Sequence, residues 1–234
     1  MRAPHRYSFI SGGRPIGVDV FEASGATGRR PAVLMLHGAD GLSRHDQYEA
    51  GALAMAGAGY QVFLVHYLDR TGERRASFAT LFQNFEPWME TVRDAVAWVS
   101  GRPEVDPDRI GLVGISLGAA LSFAIAGGDR RIKAIVDYFG PVPQGAVSVA
   151  SRLPPTLILH GGADPIVPVT NAHAIADLLK QQGVEHEVKV YPGQGHGFYG
   201  AAQADATARA KTFLDRHLKG RRQDAEPLAA MQSR

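Results

Sequence analysis

Residues 109–120, RIGLVGISLGAA, place a serine between two glycines where an apolar run meets an alanine-rich run. The apolar run has the length and side chains of a buried strand, and the alanine-rich run is helix-prone. Gly-x-Ser-x-Gly at such a junction makes a sharp turn that leaves the serine hydroxyl exposed. Side chains in place of Gly114 and Gly118 would collide with the neighbouring strand and helix. The stretch predicts that Ser116 is a nucleophile; an ordinary glycine-rich connection with an N-capping serine is the alternative.

Strand-like and helix-like segments alternate along the rest of the chain. The chain begins with two predicted strands joined by the turn-rich sequence SGGRP, which most simply form a hairpin. Strands are predicted at residues 7–10, 16–21, 32–36, 61–65, 110–115, 132–138, 156–160 and 187–191, and helices at 48–58, 85–100, 119–126, 171–182 and 204–218. This alternation is typical of βαβ units, so it predicts an α/β fold with a mostly parallel eight-stranded sheet and helices on both faces.

The chain length suits one domain, which we place at residues 1–219. Residues 220–234 are charged and unpatterned, and they are predicted to form a disordered tail. The polar segment 66–83 lacks periodicity and is predicted to form a pocket rim. The connection at 140–155 is too short for a helical lid, which predicts a minimal cap and an open site.

The composition excludes several classes of function. Cysteine is absent, which removes disulfides, thiolate metal sites and a thiol nucleophile. The formal net charge is +2 with scattered basic residues, so nucleic-acid binding is not expected. No apolar stretch approaches the roughly 18 residues of a spanning helix, and the N-terminus lacks the apolar core of a signal peptide. We therefore expect a cytoplasmic protein without membrane contact, and its oligomeric state is open.

A serine nucleophile needs a base and a carboxylate that orients the base. His196 follows the last predicted strand in a glycine-rich loop, and Asp164 follows the preceding strand. Both positions lie at the carboxyl ends of strands, where open α/β sheets place their ligands. The sequence therefore predicts Ser116, Asp164 and His196 as the catalytic residues. Asp137, after the sixth strand, is the rival acid, and Asp164 as a mere turn former before Pro165 is the other alternative.

Acyl transfer also requires donors for the oxyanion of the tetrahedral intermediate. The predicted donors are the backbone N–H of Leu117, directly after the nucleophile, and that of Ala39, in the loop HGADG. A turn needed only for chain reversal is the alternative for that loop. Aromatic residues at strand ends are candidates for an acyl pocket, although each is more often core: Tyr67, Phe139, Phe198 and Tyr199.

No metal or cofactor is expected, because three side chains and two amides complete the chemistry. A Walker-type Gly-Lys pair and His-Glu-x-x-His are both absent from the sequence. The pair His45 and Asp46 is expected to be solvated, as are the other surface histidines, His5, His173, His186 and His217. His160 is expected to be a hydrogen-bonded structural residue.

With these residues placed, the chain resembles the α/β-hydrolase superfamily and, within it, the dienelactone hydrolase family. The resemblance implies the fold and hydrolytic chemistry over most of the chain. Two departures concern the site. The family uses a cysteine as nucleophile and a glutamate in the oxyanion loop, whereas this chain has Ser116 and Gly38 at those places. The family also binds the substrate carboxylate with an arginine shortly after the catalytic histidine, and this chain has Gly200 there. These departures favour a serine carboxylesterase-like member.

The sequence thus predicts hydrolysis of small-molecule carboxylic esters, or lactones, through an acyl-enzyme on Ser116. A peptidase or a thioesterase of the same fold is the alternative. A hydrolase fold that serves as a non-catalytic ligand-binding module is the alternative from another class.

Overall fold

The structure, a computed structural model, describes residues 4–23, 28–143 and 152–220. Over these ranges eight strands form one sheet and five α-helices cover it. The strands are β1 (His5–Ser11), β2 (Arg14–Phe21), β3 (Arg30–Leu36), β4 (Gln61–Val65), β5 (Val105–Ile115), β6 (Ile132–Tyr138), β7 (Thr156–Gly161) and β8 (His186–Tyr191). The helices are α1 (His45–Gly57), α2 (Phe78–Ser100), α3 (Leu117–Ala126), α4 (Thr170–Gln181) and α5 (Ala201–Leu218).

The strand order is β1-β2-β4-β3-β5-β6-β7-β8. The hairpin β1–β2 and the β2–β4 pair are antiparallel, and every other neighbouring pair is parallel. Because β3 and β5 to β8 all point the same way, the loops that follow them meet at one edge. The predicted sheet is confirmed, in the number of its strands and in its mostly parallel character.

Helices cover both faces of the sheet, as predicted. α2, α3 and α4 pack on one face, where Trp88, Leu121 and Ile175 join the apolar side chains of the strands. α1 and α5 pack on the other face through Ala52 and Phe213. Each fully buried large apolar side chain contributes about 1.5–3 kcal/mol, so these faces hold the sheet that carries the site.

All five helices begin earlier than the sequence predicted, and three of them begin at least three residues earlier. α2 begins at Phe78 rather than at 85, because Ser77 caps it by accepting a hydrogen bond from the Thr80 N–H at 3.2 Å. Pro87 lies inside this helix and does not end it. α1 and α5 each begin three residues before their predicted starts. The segment 66–83 is therefore not irregular throughout. Tyr67–Arg70 forms a short 3₁₀ turn, and the last residues of the segment belong to α2.

The middle of the 140–155 connection and all of the predicted tail except Gly220 lie outside the described residues. None of the helices in the described part of the chain combines the length and apolar character needed to cross a membrane.

Candidate active site

Ser116 lies at a sharp turn between the end of β5 and the start of α3. Its φ of 53° is in the left-handed region, which a non-glycine residue adopts at a cost of about 1–3 kcal/mol. The turn is tight on both sides. A Cβ at Gly114 would lie 2.4 Å from the Ala119 Cα, and one at Gly118 would lie 2.2 Å from the Leu36 carbonyl oxygen. Glycine is therefore required at both positions, and the turn presents the Ser116 hydroxyl at the carboxyl edge of the sheet.

The structure brings His196 and Asp164 to this hydroxyl from two further loops. The Ser116 Oγ lies 2.9 Å from His196 Nε2, and His196 Nδ1 lies 2.7 Å from Asp164 Oδ2. Asp164 follows β7 and His196 follows β8, so parallel strands deliver the three side chains to one edge. The arrangement leaves Nδ1 as the donor to the carboxylate and Nε2 as the acceptor that faces the serine.

The Asp164 carboxylate is held rigidly by its own loop. Its side chain is buried, and Oδ1 accepts hydrogen bonds from the N–H groups of Ile166 at 2.9 Å and Val167 at 3.0 Å. His160 Nε2 donates to the Val167 carbonyl at 2.9 Å from inside the core. The loop is thus fixed from two sides, which leaves Oδ2 free to orient the imidazole of His196.

Asp137, the rival acid, has a different place. It lies on β6 with no exposed surface, and its Oδ1 accepts a hydrogen bond from the Gly140 N–H at 2.7 Å. Burial raises the pKa of this carboxyl to about 7. Asp164, rather than Asp137, is the carboxylate that bonds His196.

The loop after β3 lies against the serine. A Cβ at Gly38 would be 3.6 Å from the Ser116 Cβ. The loop is fixed by Tyr48, whose hydroxyl accepts from the Gly38 N–H at 3.1 Å, and by Tyr67, whose hydroxyl donates to the His37 carbonyl at 2.7 Å. Burial lowers the pKa of His37 to about 4, so this ring is a neutral part of the support.

The backbone N–H groups of Leu117 and Ala39, the two predicted oxyanion donors, meet no hydrogen-bond acceptor among the described residues. Leu117 is the first residue of α3, where an N–H has no acceptor within its own helix. Within the described part of the chain, the Ala39 N–H meets no hydrogen-bond acceptor, while its carbonyl is held by the Ala76 N–H at 2.8 Å. The geometry therefore offers two backbone donors in the segments that flank Ser116.

The four aromatic candidates for an acyl pocket take different positions. The prediction that Tyr67 lines an acyl pocket is wrong. This residue has no exposed surface and stacks on His37 with ring centres 4.3 Å apart, so it supports the loop after β3. The Phe139 ring lies against the His196 ring, with ring centres 4.6 Å apart. Phe198 is buried behind Phe139, and Tyr199 is 70% exposed.

Sequence reasoning missed two features of the site. Tyr48 was predicted only as part of a helix, and its contact with Gly38 gives no signal in the sequence. Phe139 has a φ of 44°, which nothing in an aromatic residue type announces.

The expectation of a solvated His45 holds only in part, because 32% of its side chain is exposed but one ring nitrogen is engaged within the protein. Its Nε2 lies 3.2 Å from the buried Asp19 Oδ2, which also accepts from His66 Nε2 at 2.9 Å. On its other side His45 approaches Asp46 and Glu49 within 4.8 Å, a spacing that a metal ion could use. Asp46 is exposed, and exposed acidic groups of this kind commonly bind nothing.

A sequence model of the dienelactone hydrolase family matches residues 18–218. The chain belongs to the dienelactone hydrolase family. This match confirms the resemblance expected from the Ser116 turn and from the loops that carry Asp164 and His196. It supports a hydrolase of the α/β-hydrolase fold.

Two relatives each match just under half of this chain. A protein of Methylorubrum extorquens, provisionally named a carboxymethylenebutenolidase, is 30% identical over 47% of this chain and 41% of its own length. The acyl-protein thioesterase 1 of Gibberella zeae is 34% identical over 48% of this chain and 49% of its own. The match thus spans less than half of either relative.

Among solved structures, the fold is similar to that of a dienelactone hydrolase-like promiscuous phosphotriesterase from metagenomic libraries. The TM-score is 0.78 at 19% identity, and the match covers 92% of this chain and 99% of that one. At this identity the likeness concerns the fold alone.

Proposed function

We propose that this member of the dienelactone hydrolase family is a serine hydrolase that cleaves carboxylic esters of small molecules. The observation that carries the proposal is the unbroken hydrogen-bond chain from Ser116 Oγ through both nitrogens of His196 to Asp164. A serine hydroxyl becomes a competent nucleophile when a base and an orienting carboxylate are arranged in this way.

The reaction proceeds in two halves. His196 Nε2 takes the Ser116 proton while Oγ attacks the acyl carbon, and the N–H groups of Leu117 and Ala39 stabilise the oxyanion that forms. His196 then gives the proton to the departing alcohol, which leaves an acyl group on Ser116. In the second half the same base activates water, which attacks the acyl carbon and releases the acid. Asp164 keeps His196 in the required tautomer and stabilises its charged form.

The residues around the nucleophile favour a neutral ester over a carboxylate-bearing lactone. Gly38 and Gly200 stand where the family resemblance implies a glutamate and an arginine, so this chain lacks those two ionic contacts. The side chain beside His196 is the apolar ring of Phe139. A small apolar acyl group would meet an apolar wall there without requiring an ion pair.

The direct test is turnover of p-nitrophenyl acetate and butyrate by wild type and by S116A. Loss of the nucleophile should reduce kcat on the order of 10⁶-fold, as when a triad serine is removed. S100A is the matched control because Ser100 lies at the far end of α2, and it should turn over like wild type. Ester hydrolysis that survives in purified S116A would exclude the proposed mechanism.

A thioester is the second candidate substrate. It is favoured by the similarity to a relative named as an acyl-protein thioesterase, and the same acyl-enzyme chemistry would serve it. Paired oxygen esters and thioesters of one acyl group separate the two candidates. The proposal for esters requires the larger kcat/KM on the oxygen ester after correction for the reactivity of each leaving group.

A further inference from the structure

Three hydrogen bonds fasten the end of β6 and the turn that follows it. The Tyr138 carbonyl accepts from the Ser116 N–H at 2.9 Å, and the Phe139 N–H donates to the Leu159 carbonyl at 2.8 Å. The Gly140 N–H donates to Asp137 Oδ1 at 2.7 Å. The first two bonds are between backbone groups, so Asp137 is the one side chain among these three contacts.

The residue at the centre of this turn is strained and touches the base. Phe139 has a φ of 44°, which for an aromatic residue costs about 1–3 kcal/mol and persists only where the surroundings enforce it. Its ring lies 4.6 Å from the His196 ring and meets Phe198 edge-on at 5.3 Å. The strained conformation is therefore what places an aromatic wall against the imidazole.

Asp137 is placed where it enforces this turn. It pairs in register with Gly114 at the base of the serine turn. A Cβ at Gly140 would lie 2.6 Å from Asp137 Oδ1 and 2.5 Å from the Ala119 Cβ, so the turn is pressed between the carboxyl group and α3. No side chain other than hydrogen fits at residue 140 in this arrangement.

The position is costly for a carboxyl group. Asp137 is fully buried, and its second oxygen, Oδ2, meets no hydrogen-bond partner among the described residues. A buried carboxyl that is only half satisfied destabilises a fold relative to an apolar residue of similar volume. The hydrogen bonds that link Ser116, His196 and Asp164 do not involve Asp137. Accepting the hydrogen bond from the Gly140 N–H is therefore the role that remains for its carboxyl group.

We propose that Asp137 is a positioning residue, which holds the Gly140 N–H and thereby keeps Phe139 against His196. This inference rests on the proposed function, because it assigns the Phe139 wall the task of keeping the imidazole in line between Ser116 and Asp164. Without the acceptor, the turn relaxes toward negative φ and the ring withdraws. The imidazole then gains freedom to tilt away from the serine.

The test compares D137V with D137N. Valine is apolar and suits a strand but removes the acceptor, whereas asparagine keeps the shape and an oxygen acceptor and removes the charge. We expect D137V to lower kcat about 10- to 100-fold, as for other small displacements of a catalytic group, with KM changed by less than about threefold. D137N should stay within about threefold of wild type. D137A serves as a second acceptor-less variant if D137V does not fold.

A double-mutant cycle with F139A separates positioning from general destabilisation. If Asp137 acts through Phe139, D137V should cost little further kcat once F139A has removed the ring. T156V is the stability control, because it removes a buried hydrogen bond to the Pro154 carbonyl at the opposite end of β7. This control should lower the melting temperature and leave kcat unchanged.

Equal kcat in D137V and wild type, or additive losses of kcat in the cycle, would overturn the inference. The proposed function would still stand in that case, provided that the wild type hydrolyses esters. A folded wild type without esterase activity, or ester hydrolysis that survives in S116A, would instead defeat the proposed function. A loss in D137N as large as in D137V would show that the charge matters rather than the acceptor, which also overturns the inference.

Discussion

At the scale of single residues, the site depends on which nitrogen of His196 carries the proton. The bond from Nδ1 to Asp164 Oδ2 at 2.7 Å fixes the tautomer that leaves Nε2 as the acceptor for the serine. Two buried aspartates lie near the site, and only Asp164 makes this bond. The same substitution at the two positions therefore separates their roles.

The first prediction concerns this pair. D164N should lower kcat about 10⁴-fold, because an amide in place of the carboxylate favours the wrong tautomer of His196. D137N is the matched control, since it also replaces a buried aspartate by its amide. Measured kcat values on p-nitrophenyl butyrate check this, and similar values for both variants would contradict the assignment of Asp164.

The second prediction concerns the pH dependence of stability. Burial raises the pKa of Asp137 from 3.8 to about 7, so between these values the folded protein holds a proton that the unfolded chain has released. The contribution of Asp137 to stability must therefore fall as pH rises through this window, by on the order of 1 kcal/mol for each pH unit. D137N lacks this group. Urea unfolding of both proteins at pH 5 and pH 8 should show D137N gaining stability relative to wild type at the higher pH, and a constant difference would contradict the account.

At the scale of elements, a network centred on the buried Asp19 joins the first hairpin to the rest of the sheet. Asp19 on β2 accepts from Arg6 on β1 at 2.9 Å, and from His45 on α1 and His66 after β4. These hydrogen bonds hold the pKa of Asp19 well below its usual range although burial opposes them. The network ties two strands, a helix and a loop to one carboxylate.

The third prediction follows from this network. D19N should lower the free energy of unfolding by about 1.5–3 kcal/mol, the range for a hydrogen bond to a charged group, and leave kcat unchanged. Since the folded pKa of Asp19 is depressed, its stabilisation is present above the unfolded pKa of about 4 and is lost as pH falls below that value. Denaturant curves at pH 7 and pH 3 check the sign. A stability difference between D19N and wild type that grows toward pH 3 would contradict it.

The elements themselves were largely predictable because their signals are local. Apolar runs and alanine-rich or periodic segments marked all eight strands and five helices. The start of α2 was missed, since its first turn depends on the single cap at Ser77 and its interior contains Pro87. The role of His45 was missed because Asp19 is 26 residues away in the chain.

At the scale of the whole molecule, parallel strands explain why so much of the site could be predicted. Residues that follow β3, β5, β7 and β8 must meet at one edge, so Ser116, Asp164 and His196 could be placed together without coordinates. The residues that support the site could not be predicted in this way. Stacking of Tyr67 on His37 and the strained turn at Phe139 depend on side-chain packing between distant segments, for which a residue type gives no signal.

The central claim is that His196 activates Ser116. The most direct measurement is labelling by a fluorophosphonate, followed by intact mass and peptide mapping of wild type, S116A and H196A. The account predicts one adduct on Ser116 in wild type, none in S116A, and labelling of H196A slowed by several orders of magnitude. Folded wild type that takes no label, or S116A that still takes it, would contradict the account.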